Sequence, residues 1–199
     1  MTERIKLASF TALIMLVLAS VGTGLSASLL DLAESFRIEP SRAGILYSLH
    51  FSGFLGFILL TLLVRGLRAR LMLITICAGV YVVALLTAGL TPFFSLLAAA
   101  LILAGGAGGI IESHTTTLQV TTAVDEAEAG RIVSVTQAFF ALGALLAPVY
   151  LSLSHSFGSH QWRTLFVALS AISLIALLVG LLLKPERFRH PPAQNSPIR

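Results

Sequence analysis

Six long apolar stretches dominate this sequence of 199 residues. A helix that crosses a bilayer needs about 20 mostly apolar residues, and each stretch is long enough for one crossing. Charged residues make up only 11% of the chain, against about 25% in a soluble domain. This pattern predicts an all-α integral membrane protein and excludes a soluble domain, a disordered chain and a nucleic-acid-binding protein. The predicted transmembrane helices lie near residues 5–30, 43–64, 71–90, 94–120, 132–153 and 165–183.

The basic residues between these spans predict the orientation of the chain. Lys and Arg are concentrated in the cytoplasmic loops of membrane proteins. With the N-terminus inside, only Arg37, Arg42 and Arg163 of the 13 Lys and Arg residues fall on the outer side. Both termini are therefore predicted to be cytoplasmic, with the chain in the inner (plasma) membrane. Residues 1–184 form the predicted membrane domain, and the polar, Pro-rich segment 185–199 is the predicted cytoplasmic tail.

Several short motifs follow one another along the spans. The loop after the second span reads VRGLRARLML, and the fourth span contains the glycine run LAGGAGGIIE. The fifth span reads GRIVSVTQAFFALGALLAPV, and a Trp-Arg pair precedes the sixth. In this order the motifs resemble the N-terminal six-helix half of a major facilitator superfamily transporter. The nearest resemblance is to the fucose and sugar permease branch.

This resemblance implies both a fold and a function. The fold is a half-domain made of two inverted three-helix repeats, residues 1–91 and 92–184. The function is secondary active transport of a small polar solute, a sugar or an organic metabolite, by alternating access. Substrate binds between two such halves in this family, so the resemblance implies a homodimer or a second half-transporter as partner. In the sugar branch a helix 4 Glu is important for proton-coupled transport, which implies proton symport through Glu112.

Glu112 lies well inside the fourth predicted span. A charged side chain near the bilayer centre costs about 2.5–3.5 kcal/mol on insertion scales, so such residues usually face a cavity or pair with a neighbour. At about 100° per residue, Thr115, Thr116 and Gln119 fall on the same stripe of the helix. We predict that Glu112 couples protons and that these three residues line a substrate cavity. The alternative is a protonated Glu112 that serves only helix packing through a hydrogen bond.

Five further polar or aromatic residues are candidates for the substrate cavity. His50 and Tyr47 share a face of the second span and are able to contact a hydroxyl-rich substrate or relay a proton. Gln137 and Phe140 lie in the fifth span, and Thr23 lies in the first. The alternative for His50 and Gln137 is an interhelical hydrogen bond, which in membranes is worth about 0.6 kcal/mol on average.

The loop between the second and third spans is basic. Arg65, Arg68 and Arg70 are explained most simply by the topology of the chain and by anionic lipid headgroups. The functional alternative is gating against the acidic segment 125–128.

Two other classes of protein are alternatives to a transporter. An intramembrane enzyme needs a paired nucleophile and base, and the sequence contains no such motif, no metal-ligand spacing and only one Cys. We therefore expect no catalytic residue, no metal and no cofactor. The alternative function is a truncated or non-transporting six-helix module that acts as an interaction or assembly partner. Glu112 argues against that alternative, because a scaffold gains little from a buried acid.

Overall fold

The structure of the chain, a computed structural model, describes residues 3–59, 61, 66–154 and 160–183. Within these residues the backbone forms α-helices and no strand, as the apolar stretches predict. In chain order the helices are α1 (Glu3–Ala27), α2 (Leu29–Phe36), α3 (Pro40–Ile58), α4 (Leu67–Leu90), α5 (Phe94–Thr122), α6 (Glu126–Ser154) and α7 (Gln161–Leu181).

Five helices in the described part of the chain are long and apolar enough to cross a membrane: α1, α4, α5, α6 and α7. They coincide with the first and with the third to sixth predicted spans, which confirms a multi-pass, all-helical architecture. The second predicted span, 43–64, begins in α3, and its last part includes residues outside the described ranges. α3 opens on Pro40 and the polar residues Ser41 and Arg42, and it is not among the five. Six crossings remain a prediction.

The segment between the first two predicted spans, which lies outside any predicted helix, contains a helix. α2 follows α1 directly and buries Leu32 and Ala33. It ends at Arg37, whose left-handed backbone (φ 53°) closes the helix. The amide of the next residue, Ile38, donates to the carbonyl oxygen of Ala33 at 3.0 Å. An eight-residue helix with one apolar face is too short to stand out by hydropathy.

The acidic segment near residue 125, which precedes the predicted span at residue 132, forms the start of α6. The Asp125 carboxylate accepts the amide of Glu128 at 2.7 Å, and the Glu128 carboxylate accepts the amide of Val124 at 2.6 Å. Such reciprocal capping satisfies the free amides of a first helical turn, where negative charge is also favourable. Glu128 also forms an ion pair of 2.8 Å with Arg4.

Two central helices, α1 and α5, organise the bundle. α1 packs mainly against α6 and α7, α5 packs mainly against α3 and α4, and α4 also packs against α7. Glycines allow the closest approaches, because a Cβ atom at Gly105 would collide with the carbonyl oxygen of His50. A Cβ atom at Gly143 would collide in the same way with the carbonyl oxygen of Leu16. Small residues at such interfaces are typical of membrane helices.

Candidate functional site

A cavity of about 210 Å³ lies between four helices: α1, α3, α5 and α6. It contains five of the residues predicted from the sequence for proton coupling or substrate contact. These five are Thr23, Tyr47, His50, Glu112 and Phe140. Residues from four separate segments of the chain therefore meet at one place, while their roles in transport remain predictions.

The rest of the lining was not among the predicted site residues. Phe51 and Phe54 add two aromatic rings from α3, and Ser26 adds a hydroxyl from α1. The remaining lining residues are small or aliphatic and make the space: Leu18, Ala19, Gly22, Gly108 and Ala144. Phe51 and Phe54 follow Tyr47 and His50 at helical spacing, and this spacing is the signal by which they could have been found.

Glu112 reaches the cavity from the middle of α5. It is half-buried, and no hydrogen bond or ion pair of its carboxylate is found among the described residues. Tyr81 on α4 is fully buried and near enough to interact electrostatically with Glu112. The Tyr81 hydroxyl also has no hydrogen-bond partner in the described part of the chain. The interhelical hydrogen bond that the packing alternative requires for Glu112 is therefore not seen in this arrangement.

His50 lines the cavity and also links two helices. Its Nδ1 lies 3.1 Å from the carbonyl oxygen of Leu101 on α5. Because a carbonyl oxygen only accepts, Nδ1 carries the proton of this hydrogen bond. The imidazole ring stands edge-on to Phe51, with 5.4 Å between the ring centroids. His50 thus lines the cavity and makes the interhelical hydrogen bond, while its contact with a substrate remains a prediction.

Four predicted cavity residues are not among those that line it. Thr116 and Gln137 are exposed on the surface of the bundle. Thr115 is fully buried, and its hydroxyl has no partner among the described residues. The amide nitrogen of Gln119 donates to the hydroxyls of Thr11 at 3.0 Å and Thr136 at 2.6 Å.

The position of Gln119 along α5 explains why it does not reach the cavity. It lies seven residues after Glu112, which is about 10 Å along the helix axis. There its two hydrogen bonds tie α5 to α1 and α6. The interhelical bond expected as an alternative for Gln137 is thus made by a different glutamine.

Two of the three arginines of the basic loop lie within the described residues. Arg68 is exposed and Arg70 is half-buried at the start of α4, while Arg65 lies outside the described residues. Neither Arg68 nor Arg70 forms an ion pair in the part of the chain that the structure describes. The acidic segment proposed as their gating partner contains Glu128, which pairs with Arg4 instead.

A second polar cluster, which sequence reasoning did not assemble, lies at the N-terminal end of α7. The indole nitrogen of Trp162 donates to the hydroxyl of Ser35 on α2 at 3.0 Å. Arg163 donates to the carbonyl oxygens of Gly89 at 3.2 Å and Thr91 at 2.6 Å, at the end of α4. Its guanidinium lies 4.3 Å from the ring centroid of Trp162. These contacts join α2, α4 and α7.

No group of three or more His, Cys, Asp or Glu side chains in the described ranges is placed to hold a metal ion. The features that remain are several apolar, membrane-length helices around a cavity that contains a carboxylate without a partner. They define a multi-pass membrane protein.

Comparison with protein families gives the class a name. The sequence profile of the Major Facilitator Superfamily matches residues 10–198. The chain therefore belongs to this superfamily, whose members are membrane transporters. No curated protein matches the chain at a significant level.

Proposed function

We propose that the chain carries out secondary active transport of a small polar solute, a sugar or another organic metabolite, by alternating access. Transport is coupled to protons through Glu112. The observation that carries this proposal is the carboxylate of Glu112, which lines the cavity and has no hydrogen-bond or ion-pair partner among the described residues. Ionisable groups inside a membrane are costly, and they typically mark substrate or proton pathways.

The neighbours of Glu112 supply the proposed substrate contacts. Tyr47, His50 and Thr23 provide polar atoms on two other helices, and Phe140 provides an aromatic surface on α6. A ligand between these helices is held by groups that belong to different elements of the bundle. Its binding therefore depends on how those elements are arranged, which is the physical requirement for alternating access.

The packing of the helices supports the proposal of two inverted repeats, residues 1–91 and 92–184. Exchanging α1 with α5, α3 with α6 and α4 with α7 converts each major interface into another major interface. The contact of α1 with α6 then corresponds to that of α5 with α3, and α4 with α7 corresponds to itself. Inverted repeats are common in transporters, which bind substrate at the interface between repeats or halves.

The proposal includes a second six-helix unit, supplied by a second copy of the chain. In transporters of this superfamily the substrate cavity lies between two such units. α6 is one of the four helices around the cavity. Only 17% of its apolar 18-residue stretch is buried, against 39–61% in the other four helices that are long enough to cross a membrane. The exposed side of α6 is apolar and includes Leu142, Leu145, Leu146 and Val149. The membrane in question is the inner membrane, with both termini in the cytoplasm.

Uptake into proteoliposomes tests the proposed role of Glu112. A panel of labelled sugars and organic metabolites is offered with and without an inward proton gradient. We expect gradient-driven uptake by the wild type and at least about a tenfold loss in Glu112→Gln, which removes a titrating group from the cavity. Glu126→Gln removes an exposed carboxylate at the start of α6 and serves as the matched control. Equal gradient-driven uptake by both variants would contradict the proposal and favour a non-transporting module.

A further inference from the structure

The charges around the cavity favour a cationic ligand. Glu112 is the charged residue among the side chains that line it, and no Lys or Arg belongs to that set. A charge removed from water is costly unless it is paired. A positively charged ligand supplies that pair, whereas an organic anion meets the carboxylate and finds no basic side chain in the lining.

Three of the five polar side chains in the lining present acceptors, while the hydroxyls of Tyr47 and Ser26 are able to donate or accept. The Nδ1–H of His50 is already donated to Leu101, so a neutral ring offers Nε2 as an acceptor. The hydroxyl of Thr23 donates to the carbonyl oxygen of Ala19 at 2.9 Å, which leaves its oxygen lone pairs. An ionised Glu112 only accepts. The cavity therefore suits a ligand that donates, such as the N–H groups of a protonated amine.

Aromatic rings make up much of the remaining surface. Tyr47, Phe51, Phe54 and Phe140 all line the cavity. The centroids of Tyr47 and Phe51 are 4.7 Å apart, and those of Phe51 and Phe54 are 6.2 Å apart. Aromatic faces attract cations, and they also bury the apolar part of an organic ligand.

We propose that this cavity recognises a small organic ammonium ion, with its N–H groups toward Glu112 and Nε2 of His50 and its apolar body against the aromatic rings. A sugar fits this lining less well, because its hydroxyl oxygens also need donors, and with the Thr23 and His50 donors used only the hydroxyls of Tyr47 and Ser26 are left in the lining. The inference rests on the proposed function, since it names the substrate class of the same cavity.

Ligand binding to the full chain in lipid nanodiscs, measured by isothermal titration calorimetry at pH 7, tests the inference. The probes are 2-phenylethylammonium, its neutral analogue 2-phenylethanol, the anion 3-phenylpropanoate, and glucose. We expect the ammonium probe to bind at least about tenfold more tightly than the other three, because a hydrogen bond to a charged group is worth about that factor or more.

Variants decide whether Glu112 is responsible. Glu112→Gln should weaken the ammonium probe at least about tenfold and leave 2-phenylethanol unchanged, while Glu112→Asp, which keeps the charge, should retain most of the binding. Glu126→Gln, with its exposed carboxylate removed, should bind like the wild type. Thermal unfolding of each variant in the same nanodiscs verifies that it is folded.

Three results would overturn the inference: no measurable binding of the ammonium probe, equal or tighter binding of any other probe, or ammonium binding that Glu112→Gln leaves intact. The measurement requires no translocation, so its outcome is independent of whether the chain transports a solute. Proton-driven uptake of another solute without ammonium binding would contradict the substrate class alone. Ammonium binding without any uptake would contradict transport alone.

Discussion

Gly105 allows the backbones of α3 and α5 to touch. A Cβ atom at this position would collide with the carbonyl oxygen of His50, the residue whose ring lines the cavity. The carbonyl belongs to the backbone, so it is unable to rotate away as a side chain does. The same contact places His50 Nδ1 within hydrogen-bonding distance of Leu101. A missing methyl group on α5 thus helps to position the ring of His50.

We predict that Gly105→Ala destabilises the chain by about 1–3 kcal/mol, the usual cost of overpacking a filled interior. Gly56→Ala is the matched control, because a Cβ atom at Gly56 on α3 meets nothing within 4 Å. That variant should be neutral or slightly stabilised, since Ala is the better helix former. Thermal unfolding in mild detergent measures both. Equal stability of the two variants would mean that α3 and α5 are not in backbone contact.

At the scale of single residues, the sequence predicts which residues share a helix face better than it predicts what each of them contacts. Helical spacing places Glu112, Thr115, Thr116 and Gln119 on one stripe of α5, yet only Glu112 is among the cavity-lining residues. Thr116 is exposed and Gln119 bonds to hydroxyls on α1 and α6. Spacing within one helix gives relative angles, whereas the depth of the cavity and the identity of each facing helix depend on packing.

Among the elements, α2, α4 and α7 meet through Arg163. The guanidinium donates to two carbonyl oxygens near the end of α4 and lies over the ring of Trp162, which in turn binds Ser35 of α2. The last carbonyls of a helix lack partners within the helix, so a cation that binds them is stabilising. The short α2 is thereby fixed to the bundle at the N-terminal end of α7.

We predict that Arg163→Lys lowers stability by about 1–2 kcal/mol. Lys keeps the charge but loses the planar, multi-donor group that binds two carbonyls and stacks on an indole ring. Arg131→Lys, at an exposed position of α6, is the control and should change stability by less than about 0.5 kcal/mol. Chemical or thermal unfolding in detergent compares the two. A loss no greater at residue 163 than at residue 131 would show that the contacts of Arg163 contribute nothing to stability.

Hydropathy predicts the long elements of this fold well and the short ones poorly. The spans that became α1, α4, α5 and α7 lie within a few residues of their observed ends, because each is a sustained apolar run. α6 begins six residues before the predicted 132, at Glu126, because capping carboxylates extend the helix into a polar segment. α2 was missed because it gains its order by burying Leu32 and Ala33 against other elements.

For the whole molecule, the proposed second unit has a direct consequence for mass. A cavity shared between two copies predicts a stable homodimer of twice 21.1 kDa in nanodiscs of native lipid. Native mass spectrometry or light scattering of the full chain measures this state. A monodisperse monomer across a wide concentration range would contradict the homodimer, and autonomous transport by this chain would then be withdrawn.

Alternating access by the whole molecule is testable without knowledge of the substrate. Ala144 lines the cavity on α6, so Ala144→Cys places a thiol there in a background from which the free Cys77 has been removed as Cys77→Ala. Val83→Cys is the control, because Val83 is 65% exposed on α4 and is not among the residues that line this cavity. Bilayer lipid should shield it.

The measurement is labelling by a membrane-impermeant maleimide in right-side-out and in inside-out vesicles. We predict that Ala144→Cys reacts in both preparations and that Val83→Cys reacts in neither. Reaction of Ala144→Cys from only one side, or from neither, would contradict alternating access through this cavity.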